Sequence, residues 1–212
     1  MLGPERRTFL LAIGRLISGA CASGYMDATA RFAITCWGVV VVFWIVSALS
    51  VKRTRVKEPL PHRLLYLTVL VVAVGLLNGS ARVIHWDRAF LPHTVATGIL
   101  GDLLVLVGLL IAIWARATLG GNWSARVTLK EDHELIERGP YRTVRHPIYS
   151  GLLLMVLGTA VLVGRVGGFV ALVMSFCGVW LKLRREEALL TKYLPGYSEY
   201  MRRTRALVPF IF

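Results

Sequence analysis

The fold is decided by IYSGLLLMVLGTAVLV (Ile148–Val163), the linker GRV (Gly164–Val166) and GGFVALVMSFCGVWLKL (Gly167–Leu183). Each apolar run is close to the lower limit of about 17 residues for a membrane-spanning helix. With only Gly164, Arg165 and Val166 between them, the two runs predict a tight helical hairpin. A short pair of this kind crosses a locally thinned bilayer with little tilt. The start of the first run and the end of the second therefore come to the same membrane face.

Upstream, Phe32–Val51, Leu64–Ile84 and Val95–Ala115 each approach the roughly 20 mainly apolar residues of a spanning helix. The expected fold is an all-α polytopic membrane protein of about five transmembrane helices, followed by short cytoplasmic C-terminal helices. Composition agrees: 56% of the 212 residues are hydrophobic and 17% charged, where soluble domains carry about a quarter charged. Three segments are expected, an N-terminal interfacial stretch over 1–31, a three-helix bundle over 32–115 and a C-terminal catalytic region over 116–212. In the first of them, Arg15 interrupts the short apolar run Phe9–Ile17, which favours an interfacial amphipathic helix over a signal peptide.

The net charge of +13 does not point to nucleic acid, because the basic residues lie in short segments between apolar runs. Lys52–Arg63 holds five Lys and Arg, Arg116–Arg145 six and Lys182 onward seven, 18 in all. The opposite loops hold four before Phe32, two at Arg82 and Arg88 and one at Arg165, seven in all. The positive-inside rule then puts the N-terminus outside and the C-terminus in the cytoplasm, in the cell (inner) membrane.

Several features call for plain readings. Cys21, Cys36 and Cys177 are isolated, lack zinc spacing and read as packing residues. Asn122-Trp123-Ser124 matches a glycosylation acceptor but falls on the cytoplasmic side. Glu131, Asp132, His133, Glu134 and Glu137 read as a solvated loop, since contiguous side chains do not converge on one ion, and no metal site is expected. Val127–Lys130 suits a brief extended stretch. Gly98, Gly101, Gly108 and Ala112 line one face of the third span and permit close helix approach. Asp102 beside them reads as a structural partner for Asn78 or His85, although an acid inside a span is also a functional candidate.

The chemistry-bearing residues cluster at the two ends of the hairpin that share a face. Gly139-Pro140-Tyr141-Arg142, Arg145-His146-Pro147, Tyr149 and Gly151 surround the start of the first run. Pro147 suits the first helical turn, where its missing N–H costs nothing. His146 would then lie beside unpaired backbone donors, a place for an anionic group with Arg145 as a bidentate clamp. Beyond the second run come Arg184, Arg185, Glu186 and Glu187, then Tyr193, Gly196, Tyr197 and Tyr200. Adjacent carboxylates on a helix point about 100° apart, so one faces a pocket while the other makes a salt bridge. Topology alone brings Arg145 and His146 near Glu186 and Glu187. A guanidinium, carboxylates and tyrosines together fit S-adenosylmethionine, with its carboxylate, amine, sulfonium, ribose and adenine. A nicotinamide cofactor also remains open at this point, although no glycine-rich pyrophosphate fingerprint is present.

The ordered set resembles the isoprenylcysteine carboxyl methyltransferase family over roughly the last 75 residues, through the motifs just quoted with Arg205 and the closing Pro209-Phe210-Ile211. The resemblance implies an integral membrane methyltransferase that binds S-adenosylmethionine at the cytoplasmic face. It also implies a lipophilic small-molecule or lipidated substrate entering from the membrane lipid. Carried over residue by residue, Tyr141, His146, Pro147, Tyr149, Glu186 and Glu187 line the cofactor pocket. Arg145 and Glu187 form the catalytic pair, with Arg145 holding a carboxylate. An anionic acceptor needs no general base, whereas an amine acceptor would use His146, Glu186 or Glu187. Carboxylates, thiols and phospholipid amines all stay open as acceptors. The competing readings are a membrane reductase of the sterol or steroid type using NADPH, and a non-enzymatic membrane scaffold or transport subunit.

Overall fold

The computed structural model describes residues 27–48, 54–57, 68–69, 71–73, 75, 88–120, 128–130 and 135–208. The expected interfacial stretch over 1–31, most of the expected span Leu64–Ile84, the loop around His133 and the closing Pro209-Phe210-Ile211 lie wholly or largely outside these residues.

Among the described residues, three helices are long and apolar enough to cross a membrane: α1 (Asp27–Ala48), α2 (Val95–Leu119) and α4 (Val166–Tyr193). The shorter apolar helix α3 (Pro147–Val163) lies between α2 and α4. The short α5 (Tyr197–Arg203) closes the order. Residues 68–69, 71–73 and 75 are helical within the expected second span, and Ala73 packs on Ala171 of α4. Large apolar side chains such as Ile34, Val42, Ile45, Leu100, Leu103, Leu110 and Val173 face outward, as lipid-facing side chains do. The chain is an all-α polytopic membrane protein with one addition, a two-stranded antiparallel sheet of β1 (Thr54–Lys57) and β2 (Thr128–Lys130). The second strand falls in the stretch expected to be extended.

Local sequence explains the helix boundaries. Thr94 caps α2 reciprocally: Thr97 N–H donates to Thr94 Oγ1 at 3.2 Å, and Thr94 N–H to Thr97 Oγ1 at 3.0 Å. Pro147 opens α3 at its first helical position. Gly164 ends it with φ 62°, a left-handed conformation that favours glycine. The hairpin turn has its backbone satisfied from a neighbouring strand of chain. Phe90 N–H and Leu91 N–H donate to Gly164 O at 2.7 and 3.0 Å, and Val166 N–H donates to Arg88 O at 3.1 Å.

One boundary differs from expectation. The second hairpin helix does not stop near Leu183 but runs on to Tyr193 without a break. Arg184 to Tyr193 are mostly strong helix formers, and the helix ends only just before Pro195, which disfavours helical backbone in the residue preceding it. Glu186 and Glu187 therefore ride on the apolar helix itself rather than on a separate cytoplasmic one.

The core of the bundle is the contact between α2 and α3. Gly101 and Gly108 face Gly158 and Gly151 in antiparallel order. A Cβ on Gly108 would fall 2.5 Å from Gly151 O, and one on Gly158 would fall 2.6 Å from Gly101 O. The backbones touch at two levels, so no larger residue fits there. Val105, Met155, Leu109 and Leu162 fill the space between, with Ala33, Cys36 and Val40 of α1 covering them. Trp37 Nε1 of α1 donates to Thr159 Oγ1 of α3 at 3.1 Å. At the C-terminal end of α2, the buried Arg116 donates to Gly120 O at 2.9 Å and to Ser47 O at 2.7 Å, tying the ends of α1 and α2. Asp102 Oδ1 is buried with no hydrogen-bond partner among the described residues, and its expected partners Asn78 and His85 lie outside them.

Gly108→Ala is expected to cost about 1–3 kcal/mol through overpacking, seen as a lower unfolding temperature in detergent. Gly38 has nothing within 4 Å of a would-be Cβ, so Gly38→Ala should leave that temperature unchanged or raise it. Equal melting of both variants would refute the seam.

Candidate functional site

The glycine seam places the start of α3 beside the C-terminal end of α2, where Ala115 packs with Tyr141 and Ile148. Tyr141 lies in the 3₁₀ turn Gly139–Arg142, His146 caps α3, Pro147 is its first residue and Tyr149 sits in its first turn. Glu186 and Glu187 come from the far end of α4. Four of these, His146, Tyr149, Glu186 and Glu187, are joined with Arg145 in one network of direct contacts.

Glu187 is 5% exposed and is the hub. Arg145 Nε donates to its Oε1 at 2.7 Å, and His146 Nε2 lies 3.3 Å from the same oxygen. Glu186 has a different partner: the Tyr149 hydroxyl donates to its Oε2 at 2.9 Å. The His146 and Tyr149 rings stack with centroids 5.6 Å apart. The two carboxylates thus have separate environments, as their angular offset on the helix requires. One is neutralised by a guanidinium, while the other accepts from a neutral phenol.

Arg145 reaches beyond Glu187. Its Nη1 donates to Met201 O at 3.1 Å and also to Thr204 O, both carbonyls at the end of α5. The side chain expected to clamp an anion therefore already joins three elements. Backbone donors at the start of α3 are likewise engaged. Arg145 N–H donates to Arg205 O at 2.8 Å, His146 N–H to Ala206 O at 3.0 Å, and Arg205 N–H returns to Thr143 O at 3.1 Å. The Ser150 hydroxyl donates to Leu207 O. Residues Arg205–Leu207 form a strap across the helix start, held from below by Ala206 and Leu207 packing with Val179 and Leu183.

Tyr141 stands apart from the carboxylate pair and joins the site through Tyr200, whose hydroxyl donates to Tyr141 O at 2.6 Å. Burial, and then Glu186, pushes the Tyr141 phenol far above its ordinary range. Burial, Glu187 and Glu186 do the same to Tyr197. Both phenols stay protonated and serve as neutral walls and donors rather than as bases. Pro147 is buried and supplies shape only.

Two contributors escape sequence reasoning. The carbonyls of Met201, Thr204, Arg205 and Ala206 act through the main chain and leave no residue signature. Lys182, whose Nζ lies 5.3 Å from the Tyr149 ring centroid, reads in the sequence as an ordinary basic residue at the end of an apolar run. Only its helical offset of four from Glu186 could have drawn attention to it.

Removing one member of a buried ion pair strands the other and typically costs about 3–5 kcal/mol. Glu187→Ala and Arg145→Ala are each expected to destabilise the folded protein by about that much. The double variant should lose clearly less than the sum, in a double-mutant cycle followed by thermal unfolding in detergent. Strict additivity would refute the coupling.

Comparison with known proteins gives this geometry a context. The profile of the phospholipid methyltransferase family matches residues 96–195, which span α2 to the end of α4. The chain is 30% identical over 145 residues to the cobalt-zinc-cadmium resistance protein CzcN of Cupriavidus metallidurans, covering 68% of this chain and 61% of that one. It thus spans about three fifths of that relative's length. It is 31% identical over 157 residues to a probable protein-S-isoprenylcysteine O-methyltransferase of Oryza sativa, covering 66% of this chain and 82% of that one. The protein-S-isoprenylcysteine O-methyltransferase of Saccharomyces cerevisiae is 32% identical over 135 residues, 59% of this chain and 55% of that one. A solved structure of a eukaryotic intramembrane Ras methyltransferase aligns at 23% identity with a TM-score of 0.46, covering 74% of this chain and 55% of that one. By its likeness to the rice protein, most of whose length it covers, the chain belongs to the isoprenylcysteine carboxyl methyltransferase family.

Proposed function

We propose that the chain is a membrane methyltransferase that moves a methyl group from S-adenosylmethionine to a lipophilic or membrane-associated acceptor, most simply a carboxylate. The observation that carries this reading is the Arg145–Glu187 and Tyr149–Glu186 pairing, which joins the two ends of the helical hairpin into one polar site. Family membership supplies the reaction class, since relatives are O-methyltransferases by name.

The donor set fits the cofactor. Glu186 is a partly buried carboxylate whose hydrogen-bonded partner is a neutral hydroxyl, so its charge is available to an ammonium, a sulfonium or ribose hydroxyls. The stacked His146 and Tyr149 rings offer an aromatic platform beside it. Tyr141, His146, Pro147, Tyr149, Glu186 and Glu187 would hold the cofactor, which when bound supplies an electrophilic methyl group. The chain's own work is alignment and exclusion of water. Arg145 holds Glu187 and the C-terminal strap in register, and through them the site's walls. His146, sharing Glu187 Oε1 with Arg145, keeps its ring fixed against Tyr149. No proton has to move when the acceptor is an anion. The excess of Lys and Arg in alternate loops supports a site on the cytoplasmic side of the inner membrane.

Titration calorimetry of the detergent-solubilised protein should detect binding of S-adenosylmethionine and of its demethylated product. Glu187→Ala should weaken binding by about tenfold or more, and Tyr149→Phe by less, in line with about 1–3 kcal/mol for a buried group left unsatisfied. A folded wild-type sample that gives no heat with either compound, while binding NADPH, would overturn the reading in favour of a reductase. A reporter fused after Phe212 should be active only in the cytoplasm; activity outside would overturn the orientation.

A further inference from the structure

We infer that the exposed arginines bordering the C-terminal strap form a docking surface for the phosphate headgroups of anionic lipids, which hold the strap against the start of α3. This surface is distinct from the candidate pocket, and the inference does not depend on the reaction proposed there.

Two short stretches far apart in the chain carry the surface, Arg138-Gly139-Pro140-Tyr141-Arg142 and Arg202-Arg203-Thr204-Arg205. The strap joins them. Arg205 N–H donates to Thr143 O at 3.1 Å and Arg145 N–H to Arg205 O at 2.8 Å, so the residues that follow Arg142 lie against Arg205. Arg203 Nη2 donates to Glu137 Oε1 at 3.2 Å, which brings the neighbouring Arg138 beside α5. Arg138, Arg142, Arg202, Arg203 and Arg205 are all exposed. Of these, Arg203 alone has a carboxylate partner among the described residues. With Glu137 and the exposed Glu199 counted, five cations face two carboxylates. Arg145, between the two stretches, is turned inward onto Glu187 and takes no part.

The residue type points to phosphate. Basic residues beside a membrane span follow a rule that lysine and arginine satisfy equally well. Here every basic residue in both stretches is arginine. A guanidinium presents a planar fork of donors that meets two phosphate oxygens at once, which an ammonium does not.

The position points to lipid. Leu207, two residues past Arg205, packs with Val179 and Leu183 at the end of the apolar part of α4. Beside it Val208 is an exposed apolar residue, which suits a lipid neighbour better than a soluble polyanion. Ile148, just beyond the arginines on the other side, opens the apolar run of α3. With those apolar parts in the hydrocarbon, Arg142 and Arg205 would stand at headgroup depth, where anionic lipids attract clustered basic residues. A phosphate bound by both would grip from outside the two segments that the main chain joins within. Exposed main-chain hydrogen bonds of this kind open locally at low cost, and the bridging phosphate slows that opening.

The test strips the full chain of lipid in an uncharged detergent and titrates it with phosphatidylglycerol or phosphatidylcholine. Bound lipid is counted by native mass spectrometry, and amide exchange at Arg145, His146 and Arg205 is followed in the same samples. Phosphatidylglycerol should bind about tenfold or more tightly than phosphatidylcholine and should slow exchange of the three amides. Each arginine near an anionic surface contributes about fivefold, so Arg142→Gln with Arg205→Gln should weaken phosphatidylglycerol about twentyfold or more. Changing both to lysine keeps the charge without the fork and should still weaken binding severalfold. Neither side chain has an ion pair to lose among the described residues, so both double variants should melt with the wild type in lipid-free detergent. Arg165→Gln removes an exposed charge at the far end of the hairpin, about 25 Å away along α3 and beyond the screening length of about 10 Å. It should change nothing. Equal binding of the two lipids, equal losses in the Arg165 and double-glutamine variants, or full retention in the double-lysine variant would overturn the inference. Displacement of the lipid by millimolar inorganic phosphate would mark a free-anion site and overturn it as well.

Discussion

Two stretches of helical backbone touch at two levels, Gly101 against Gly158 and Gly108 against Gly151, and the rest of the molecule is arranged around that contact. Helices surrounded by lipid gain nothing from burying apolar side chains against one another, so close approach and dispersion contacts must hold them together. Removing four side chains lets the backbones meet and fixes both the rotation and the axial register of α3 against α2. With the register fixed, the α3 start falls beside Ala115 and the buried Arg116. The two-residue turn at Gly164 and Arg165 then returns α4 along α3, until Glu186 and Glu187 arrive opposite Tyr149 and Arg145.

The electrostatics built on this frame set two similar side chains to different tasks. Glu187 accepts from a guanidinium that also holds two carbonyls at the end of α5. Such a buried pair adds little net stability, because desolvation offsets the attraction, but it penalises every arrangement that breaks it. Its role is to specify one geometry of helix hairpin and C-terminal strap. Glu186, one residue away and turned through about 100°, accepts instead from a phenol hydroxyl, that of Tyr149. The rigid member fixes the position of its neighbour.

The sequence made the juxtaposition of Arg145 and His146 with Glu186 and Glu187 legible, because it follows from two apolar runs and a linker too short for any other path. The stripe Gly98, Gly101, Gly108 and Ala112 was equally readable as a packing face, and all four are buried in the structure. What Arg145 does was not readable. Its partners at Met201 and Thr204 are main-chain carbonyls, and any residue supplies those. The length of α4 is not legible from hydropathy, which marks Leu183 as the end of the apolar run, whereas a helix ends where a proline or a cap stops it. Lys182 was hidden for the opposite reason: it follows the charge rule for membrane flanks so well that nothing set it apart.

The uninterrupted α4 has a consequence for how a greasy acceptor would be handled. Glu187 lies four residues past Leu183, about 6 Å further along the axis, so with the apolar part of the helix in the hydrocarbon the carboxylates would stand just outside it. Pulling an acyl or prenyl chain into water costs about 0.8 kcal/mol for each methylene, which for a tail of about fifteen carbons exceeds what most binding sites recover. A rod that carries the polar site to the depth of the lipid headgroups removes that extraction. The tail of such an acceptor would stay dissolved where it is, and only the head would have to move.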